Sequence, residues 1–395
     1  MSWPTAPLRQ LVTVTGGGTP SMSNESFYEG GTIPWVTPKD MKRWEITEAK
    51  MFITSEAVEK SAAKMIPTNS VLVTLRSGVL KHTLPVAVTR KPVALNQDLK
   101  AFTCGPSLNP DFLARFLKSA EETVLGWVRG TTADNVPLPK LLDLAVPVPP
   151  LPEQKRIAAI LDKADEIRRK RVETIKLTEE LLKSAFLEMF GDPVTNPKGW
   201  EVRKLGEVAT RVTKGESPGW QGFEYQQNGV RFVTSENVLW GKLSLKKQKF
   251  ISPEFDEKLS RSRLTAGDVL LNLVGASIGR TAIVGNDALP ANTNQAVAVV
   301  SLDRAHLLPE IVLHQLLHPS MQRQLLGSAV EVARANISLT NIRDLEVIAP
   351  PMERQNAWRK VVRKLQYIQF NLENAASLIT QNASSLTQRA FSGGL

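Results

Sequence analysis

The sequence predicts an α+β chain built twice over. Two tandem mixed α/β domains are each followed by a long α-helix, and the two helices pair as a coiled coil, giving an internal pseudo-two-fold repeat. Three observations carry this reading. Motifs recur in order at a spacing near 200 residues, short strand-like apolar runs fill the first part of each copy, and a Gly-free heptad pattern closes each one. A length of 395 residues also suits two or three domains.

The repeat is dense. Thr15, Gly17 and Pro20 return as Thr213, Gly215 and Pro218, 198 residues on. Ile33-Pro-Trp-Val-Thr37 returns as Val230-Arg-Phe-Val-Thr234, and Val71-Leu72 as Val269-Leu270. Asn96-Gln97 returns as Asn294-Gln295, and Pro149-Pro150 with Gln154 as Pro350-Pro351 with Gln355. A solenoid would repeat every 20–50 residues, so two copies of a domain-sized unit are expected. The stretches 42–69 and 239–267 diverge most, as they would if one scaffold met two ligands.

Within each copy, Val71-Leu-Val-Thr-Leu75, Val86-Ala-Val88, Val269-Leu-Leu-Asn-Leu-Val274 and Val297-Ala-Val-Val300 read as strands between Gly, Pro and Asn breaks. Shorter helices are expected near 109–125 and 309–326. A long helix then starts after a Pro-Pro stop, with Pro152 suited to its first turn. Its apolar tracks are Ile157, Ala164 and Ala185, and Ile160, Ile167 and Leu181, ending at Gly191-Asp192-Pro193. The second helix, over 353–391, carries Trp358, Leu365, Leu372, Ile379 and Leu386 on one track and Val361, Ile368 and Ala375 on the other. Each helix would be about 57 Å long, and its apolar seam needs a partner. The boundaries are therefore 1–150 for the first domain, 151–191 for its helix, 192–351 for the second domain and 352–395 for its helix.

Lys+Arg 49 against Asp+Glu 39 gives a net charge of +10, a balance that favours an anionic partner such as nucleic acid or an anionic surface. The single Cys104 excludes an internal disulfide framework and any multi-cysteine zinc site. No uninterrupted apolar stretch reaches the 18 residues of a membrane span, and no basic n-region precedes an apolar h-region. A reducing cytoplasm is the expected setting.

The search for catalytic chemistry is negative. His314 and His318 have metal-ligand spacing without further ligands, and a surface helix is the better reading. Gly16-Gly17-Gly18-Thr19 lacks the Gly-Lys-Ser/Thr of a phosphate loop. Asp256-Glu-Lys258 reads as a solvated charge cluster. Neither a motif for adenine methylation nor a motor motif is present. Binding features are more visible. Segment 239–263 holds Lys242, Lys246, Lys247, Lys249, Lys258, Arg261 and Arg263, interleaved with Trp240, Phe250 and Phe255, and Lys39, Lys42, Arg43 and Trp44 lie in the matching region. Such residues can neutralise phosphates and reach base edges.

The stretch Val146-Pro-Val-Pro-Pro-Leu-Pro-Glu-Gln-Lys-Arg-Ile-Ala-Ala-Ile-Leu-Asp162 resembles the central conserved region of type I restriction–modification specificity subunits. Gly130-Thr-Thr-x-x-Asn135 and Ala349-Pro-Pro-Met-Glu-Arg-Gln355 fit the same family, although Met352-Glu353-Arg354 replaces Leu-Pro-Glu in the second copy. The resemblance implies a non-catalytic subunit whose two target recognition domains each read half of a split, asymmetric site in double-stranded DNA. It implies two modification subunits that methylate adenine with S-adenosylmethionine, and two restriction subunits that use ATP and Mg2+. The chain itself would need no cofactor and no metal.

Candidate DNA contacts are polar or basic residues in loops beside the repeated strands: Lys39, Arg76, Lys81 and Gln97 in the first domain, and Asn237, Lys247, Ser277, Arg280 and Gln295 in the second. The Asn-Gln pairs could instead hold a turn together. Candidate subunit-interface residues on the helices are Gln154, Ile157, Leu181, Gln355, Trp358 and Leu372. Two rival readings are a coiled-coil scaffold and a DNA-modifying enzyme with an unfamiliar site.

Overall fold

The strand signals fold into the same three sheets in each copy. The computed structural model describes residues 3–128, 134–327, 336–392 and 394, with the side chains of 376–384 left aside. It divides into two compact units. Unit 1 is Met1–Val172 with Asn374–Leu395, and unit 2 is Glu173–Glu373.

In unit 1 a five-stranded sheet runs in the order Val12–Gly16, Leu99–Cys104, Ser70–Thr74, Val86–Thr89, Glu45–Ile46. A four-stranded sheet runs Met51–Ile53, Ile33–Val36, Val93–Leu95, Met65–Ile66, and Thr5–Pro7 pairs with Ala145–Pro147. Unit 2 repeats the plan with four, three and two strands. Ala209–Lys214, Val297–Leu302, Val269–Asn272 and Thr281–Ile283 form the first sheet. Phe250–Ile251, Val230–Val233 and Ala291–Thr293 form the second, and Val202–Lys204 pairs with Glu346–Ile348. The one parallel pair in each smaller sheet is also matched: Ile33–Val36 with Val93–Leu95, and Val230–Val233 with Ala291–Thr293.

The central strand of each unit is apolar on both sides because both sides are covered. Successive side chains alternate across a strand. Val71 and Val73 enter the core beneath the helix Pro110–Ser119, while Leu72 enters a second core with Val36, Leu95 and Ala101. In unit 2 Val269 and Leu271 face Ile311 and Val312 of the helix Pro309–Leu316, while Leu270 joins Val233, Ala282 and Val299. That explains continuous apolar runs where a half-exposed strand would alternate.

The long helices span Leu151–Phe190 and Met352–Ser392. Each begins in one unit and ends in the other. In unit 1, Ile157, Ala158 and Leu161 near the start of the first helix share a core with Ala390 near the end of the second. Phe391 packs edge-on against Phe112 and Phe116, both at 5.3 Å, and the Trp3 indole donates to the Ala390 carbonyl at 3.1 Å. In unit 2 the reverse holds: Phe186 and Phe190 of the first helix pack on Trp358 of the second at 5.4 and 6.0 Å.

Several expected helix positions are corrected. Gln154 and Gln355, expected at a subunit interface, are buried clamps within the chain. The Gln154 amide oxygen accepts from Asn109 N at 2.8 Å, and its nitrogen donates to the Ser107 and Pro149 carbonyls. Gln355 does the same with Leu308 N, His306 and Pro350. Ile157 and Trp358 are fully buried within their own units, so neither offers a surface to another subunit. Leu181 is 56% exposed and outside the seam, whereas Leu182 packs on the unit 2 core with Ala185 and Met189. Leu372 is half-buried and Ile368 exposed. Ala375 is half-buried, and the side chain of Ile379 lies outside the described residues.

Candidate nucleic-acid interface

The repeated motifs come together at one end of each pair of sheets. Strands that run parallel end on the same side, so in unit 1 the loops after Ile33–Val36 and Val93–Leu95 are neighbours. Asn96 N donates to the Val36 carbonyl at 3.0 Å. The antiparallel strand Ser70–Thr74 ends there too, with Leu75 N and Arg76 N both donating to the Asp98 carbonyl. Val136 N closes the edge by donating to Leu75 O at 2.8 Å, and Arg76 bridges Asn135. Gly17 lies so close to this floor that a Cβ would stand 2.0 Å from the Asn96 carbonyl, so no larger residue fits.

Unit 2 builds the same floor. Leu273 N donates to Ala296 O, Ile337 N donates to Leu273 O, and Val274 bridges Asn336. A Cβ on Gly215 would sit 1.7 Å from the Thr293 carbonyl. Asn96 and Asn294 each accept from the backbone N–H two residues on, both at 3.1 Å, so both Asn residues hold the turn. The Gln residues take hydroxyls from the glycine loop: Thr19 donates to Gln97, and Ser217 to Gln295 at 2.7 Å. Of the Gly130-Thr-Thr-x-x-Asn135 stretch, Gly130, Thr131 and Thr132 lie outside the described residues.

The variable residues decorate this shared floor. Arg76 and Lys81 are exposed, the latter at the end of the short turn Gly78–Lys81. Among the described residues, no side-chain partner meets either cation. In unit 2 Ser277 donates to the Val274 carbonyl at 3.3 Å, and Arg280 is half-buried three residues further along the chain. Lys39 is exposed in the loop after Ile33–Val36, and Lys247 is exposed 3.8 Å from Glu236.

Asn237 is corrected. It is buried and its hydrogen-bonding capacity is full. Its oxygen accepts from Thr234 N and Oγ1, and its nitrogen donates to the Ser244 and Lys247 carbonyls at 2.9 and 2.8 Å. It shapes the loop that presents Lys247. The matched residue in unit 1 is Asp40, which accepts from Thr37 N and Oγ1 and from Lys50 N. The carboxylate is a better acceptor but cannot donate onward.

The basic segment 239–263 is less free than its composition suggests. Lys242 pairs with Glu373, Arg261 with Glu216, and Arg263 with Asp256 and Glu257. Asp256 is buried, not solvated, and also accepts from Asn292 Nδ2 at 2.8 Å. Phe255 is buried, and Trp44 lies under the Arg115 guanidinium at 4.0 Å. The aromatic residues that meet cations at the surface come from a stretch that sequence reasoning passed over. Lys249 lies 5.4 Å over Tyr225, and Lys258 lies 5.5 Å over Phe223. Nothing in their spacing marked them, because the strand-free loop 215–229 has no periodicity.

His314 is also corrected. Its helix is buried almost throughout, not at the surface. Burial pushes the imidazole down to about 4, against a partial upward pull from the Glu310 carbonyl. Its ring stacks on Phe186 at 5.8 Å and meets Trp358 edge-on at 4.9 Å. Among the described residues there is no group of three or more His, Cys, Asp or Glu placed to hold a metal ion, and no helix is long and apolar enough to cross a membrane.

Known proteins resemble this chain in sequence and fold. The sequence profile of the type I restriction modification DNA specificity domain matches residues 2–179 and again residues 197–379. The specificity subunit of type I restriction enzyme EcoR124I/EcoR124II of Escherichia coli is 38% identical over 154 residues, 38% of this chain and 38% of that protein. The MjaIX specificity subunit of Methanocaldococcus jannaschii is 25% identical over 265 residues, 60% of this chain and 59% of that one. The chain thus matches about two fifths to three fifths of the length of these relatives. The S subunit of a type I restriction-modification system from M. genitalium has a TM-score of 0.61 at 15% identity, covering 99% of this chain and 96% of that one. A chain solved in work on assembly and conformational transition of the type I R-M system has a TM-score of 0.62 at 19% identity, covering 100% and 98%. At such identities the likeness is one of fold.

Proposed function

The chain belongs to the type I restriction modification DNA specificity family, and from that premise we propose that it is the DNA-reading specificity subunit of a type I restriction–modification complex. Each unit reads one half of a bipartite, asymmetric site in double-stranded DNA. The observation that carries this is the loop floor built twice from the same residues and decorated differently. Gly17, Asn96, Gln97 and Asn135 recur as Gly215, Asn294, Gln295 and Asn336, while Arg76 and Lys81 are replaced by Val274 and Gly279. Matching loop floors with unlike polar surfaces suit two unlike half-sites, since base edges are read by side chains of fitting hydrogen-bond pattern.

In this reading the chain is not itself an enzyme and needs no cofactor of its own. Two modification subunits methylate adenine from S-adenosylmethionine, and two restriction subunits use ATP and Mg2+. The setting is cytoplasmic, where the DNA is. Exposed cations at the loop ends supply the sequence-independent attraction, which weakens steeply with salt.

Mapping methylated adenines in cells carrying the chain with its modification partner tests the proposal. The expected outcome is one split, asymmetric motif that vanishes when the chain is deleted. Methylation by the pure chain alone would make it an enzyme instead. Lack of salt-dependent DNA binding by the assembled complex would leave only the scaffold.

A further inference from the structure

We propose that Trp220 is a DNA-contacting side chain of unit 2, its indole lying on a base face in the half-site which that unit reads; this rests on the DNA-reading function proposed above. Trp220 is 75% exposed. It does not stand on a loose loop. The short helical turn Pro218–Gln221 carries it, with Trp220 N donating to Ser217 O at 3.2 Å and Phe223 N to Pro218 O at 3.0 Å. The Ser217 hydroxyl fixes the base of the turn to Gln295, and Gln221 and Arg261 both hold Glu216. An indole is therefore held out in water by a stiff turn, three residues from the loop floor.

Its surroundings suit a nucleic acid. Phe223 and Tyr225 follow in the chain, the latter 47% exposed, and each lies under a lysine. Aromatic faces interleaved with cations bind bases by stacking and phosphates by charge.

A lone exposed apolar residue is ordinary on a protein surface, but this one has a counterpart. Met22 stands 198 residues before Trp220, as Pro20 stands before Pro218, and it is 63% exposed. Its loop is equally fixed. Tyr28 donates to the Pro20 carbonyl at 2.7 Å, Trp35 to the Gly18 carbonyl at 3.1 Å, and Thr19 to Gln97. Each unit thus holds out a large apolar side chain three residues after the hydroxyl that binds its Gln, although the flanking sequences differ. Such side chains can lie between or against base steps. A flat indole and a flexible thioether would meet different steps.

The test uses the full chain with its modification partner and a duplex bearing the methylated site mapped as above. Trp220→Ala should weaken binding roughly 5- to 150-fold, the range expected for loss of one stacked base. Trp220→Phe should stay within a few-fold of wild type. On a duplex whose second half-site is scrambled, wild type and Trp220→Ala should bind alike. A single abasic substitution moved through that half-site should find one position where wild type loses affinity and Trp220→Ala does not. Thermal melting should be unchanged in both variants, because the side chain is exposed. The proposal is overturned by wild-type affinity in Trp220→Ala, by an equal loss on the scrambled duplex, or by no coupled abasic position. If wild type itself does not discriminate the mapped site from the scrambled duplex, the DNA-reading function fails and this inference falls with it.

Discussion

A side chain with all its hydrogen bonds spent inside the fold has none left for a ligand, and this separates the candidate residues. Asn237 is spent in full, while Asn96 and Asn294 each give their side-chain oxygen to the turn. Lys39, Arg76, Lys81 and Lys247 keep exposed charged ends. The sequence marked all of these as polar loop residues, and residue type alone could not rank them. The same limit applies to His314, which reads as a surface residue by spacing yet sits among Phe186 and Trp358. Its titration gives a prediction. In the folded chain the imidazole stays neutral down to about pH 4, whereas an unfolded His takes its proton near 6.5. Between those values the unfolded state binds more protons, so stability falls as pH falls from 6.5 towards 4 and returns as pH rises. Unit 2 should lose on the order of 2 kcal/mol between pH 7 and pH 5 from this group. Denaturant melts at both pH values, compared with the same melts of His314→Gln, isolate it. Equal pH slopes in the two proteins would exclude His314 as the source.

At the level of elements, the long helices were legible from their missing Gly and Pro and from the Pro-Pro stops before them. Their inward faces were only partly so. A strict heptad advances by 3.5 residues per turn, and an ideal straight helix drifts against it by about 20° in each heptad. Leu182 lies about 20° from Ile157 around such a helix, and Leu181 about 120° from it. The heptad count extended from Ile160 and Ile167 therefore lands on Leu181, one position off the stripe that the unit 2 core uses. Leu182→Asp should lower the stability of unit 2 by several kcal/mol, since it places a charge against apolar neighbours. Leu181→Asp should stay within about 0.5 kcal/mol of wild type in a denaturant melt. If Leu181→Asp nevertheless stops co-purification with a modification subunit, the loss belongs to the surface and not to the fold. Equal destabilisation by both variants would move the buried stripe off Leu182 and refute this assignment of the inward face.

For the whole molecule, the repeat announced two domains, but it could not announce that each is completed by chain from far away. Unit 1 takes Asn374–Leu395, and its core holds Ala390 with Phe391 against it. Unit 2 takes the end of the first long helix, and its core holds Phe186 and Phe190 as well as Trp358 and Val362. Periodicity and motif order describe sequence neighbours, whereas these contacts join residues more than 150 positions apart. They set the terms for exchanging one reader for another. Replacing residues 192–351 with the equivalent stretch of a family relative keeps Phe186, Phe190 and Trp358 from this chain and puts them into a foreign core. The exchange should fold only where the donor keeps apolar residues opposite them, at the places of Leu205, Ile311 and Ile348. A cavity or a polar group there costs about 2–5 kcal/mol for each large side chain left unpacked, enough to unfold a unit of ordinary stability. Where the exchange folds, the first half of the methylated motif should persist, because the loop floor with Arg76, Lys81 and Gln97 is untouched. The second half should become the donor's. Sequencing methylated adenines in cells carrying the hybrid decides it, and a hybrid that folds but changes both halves together would show that the two units do not read DNA independently.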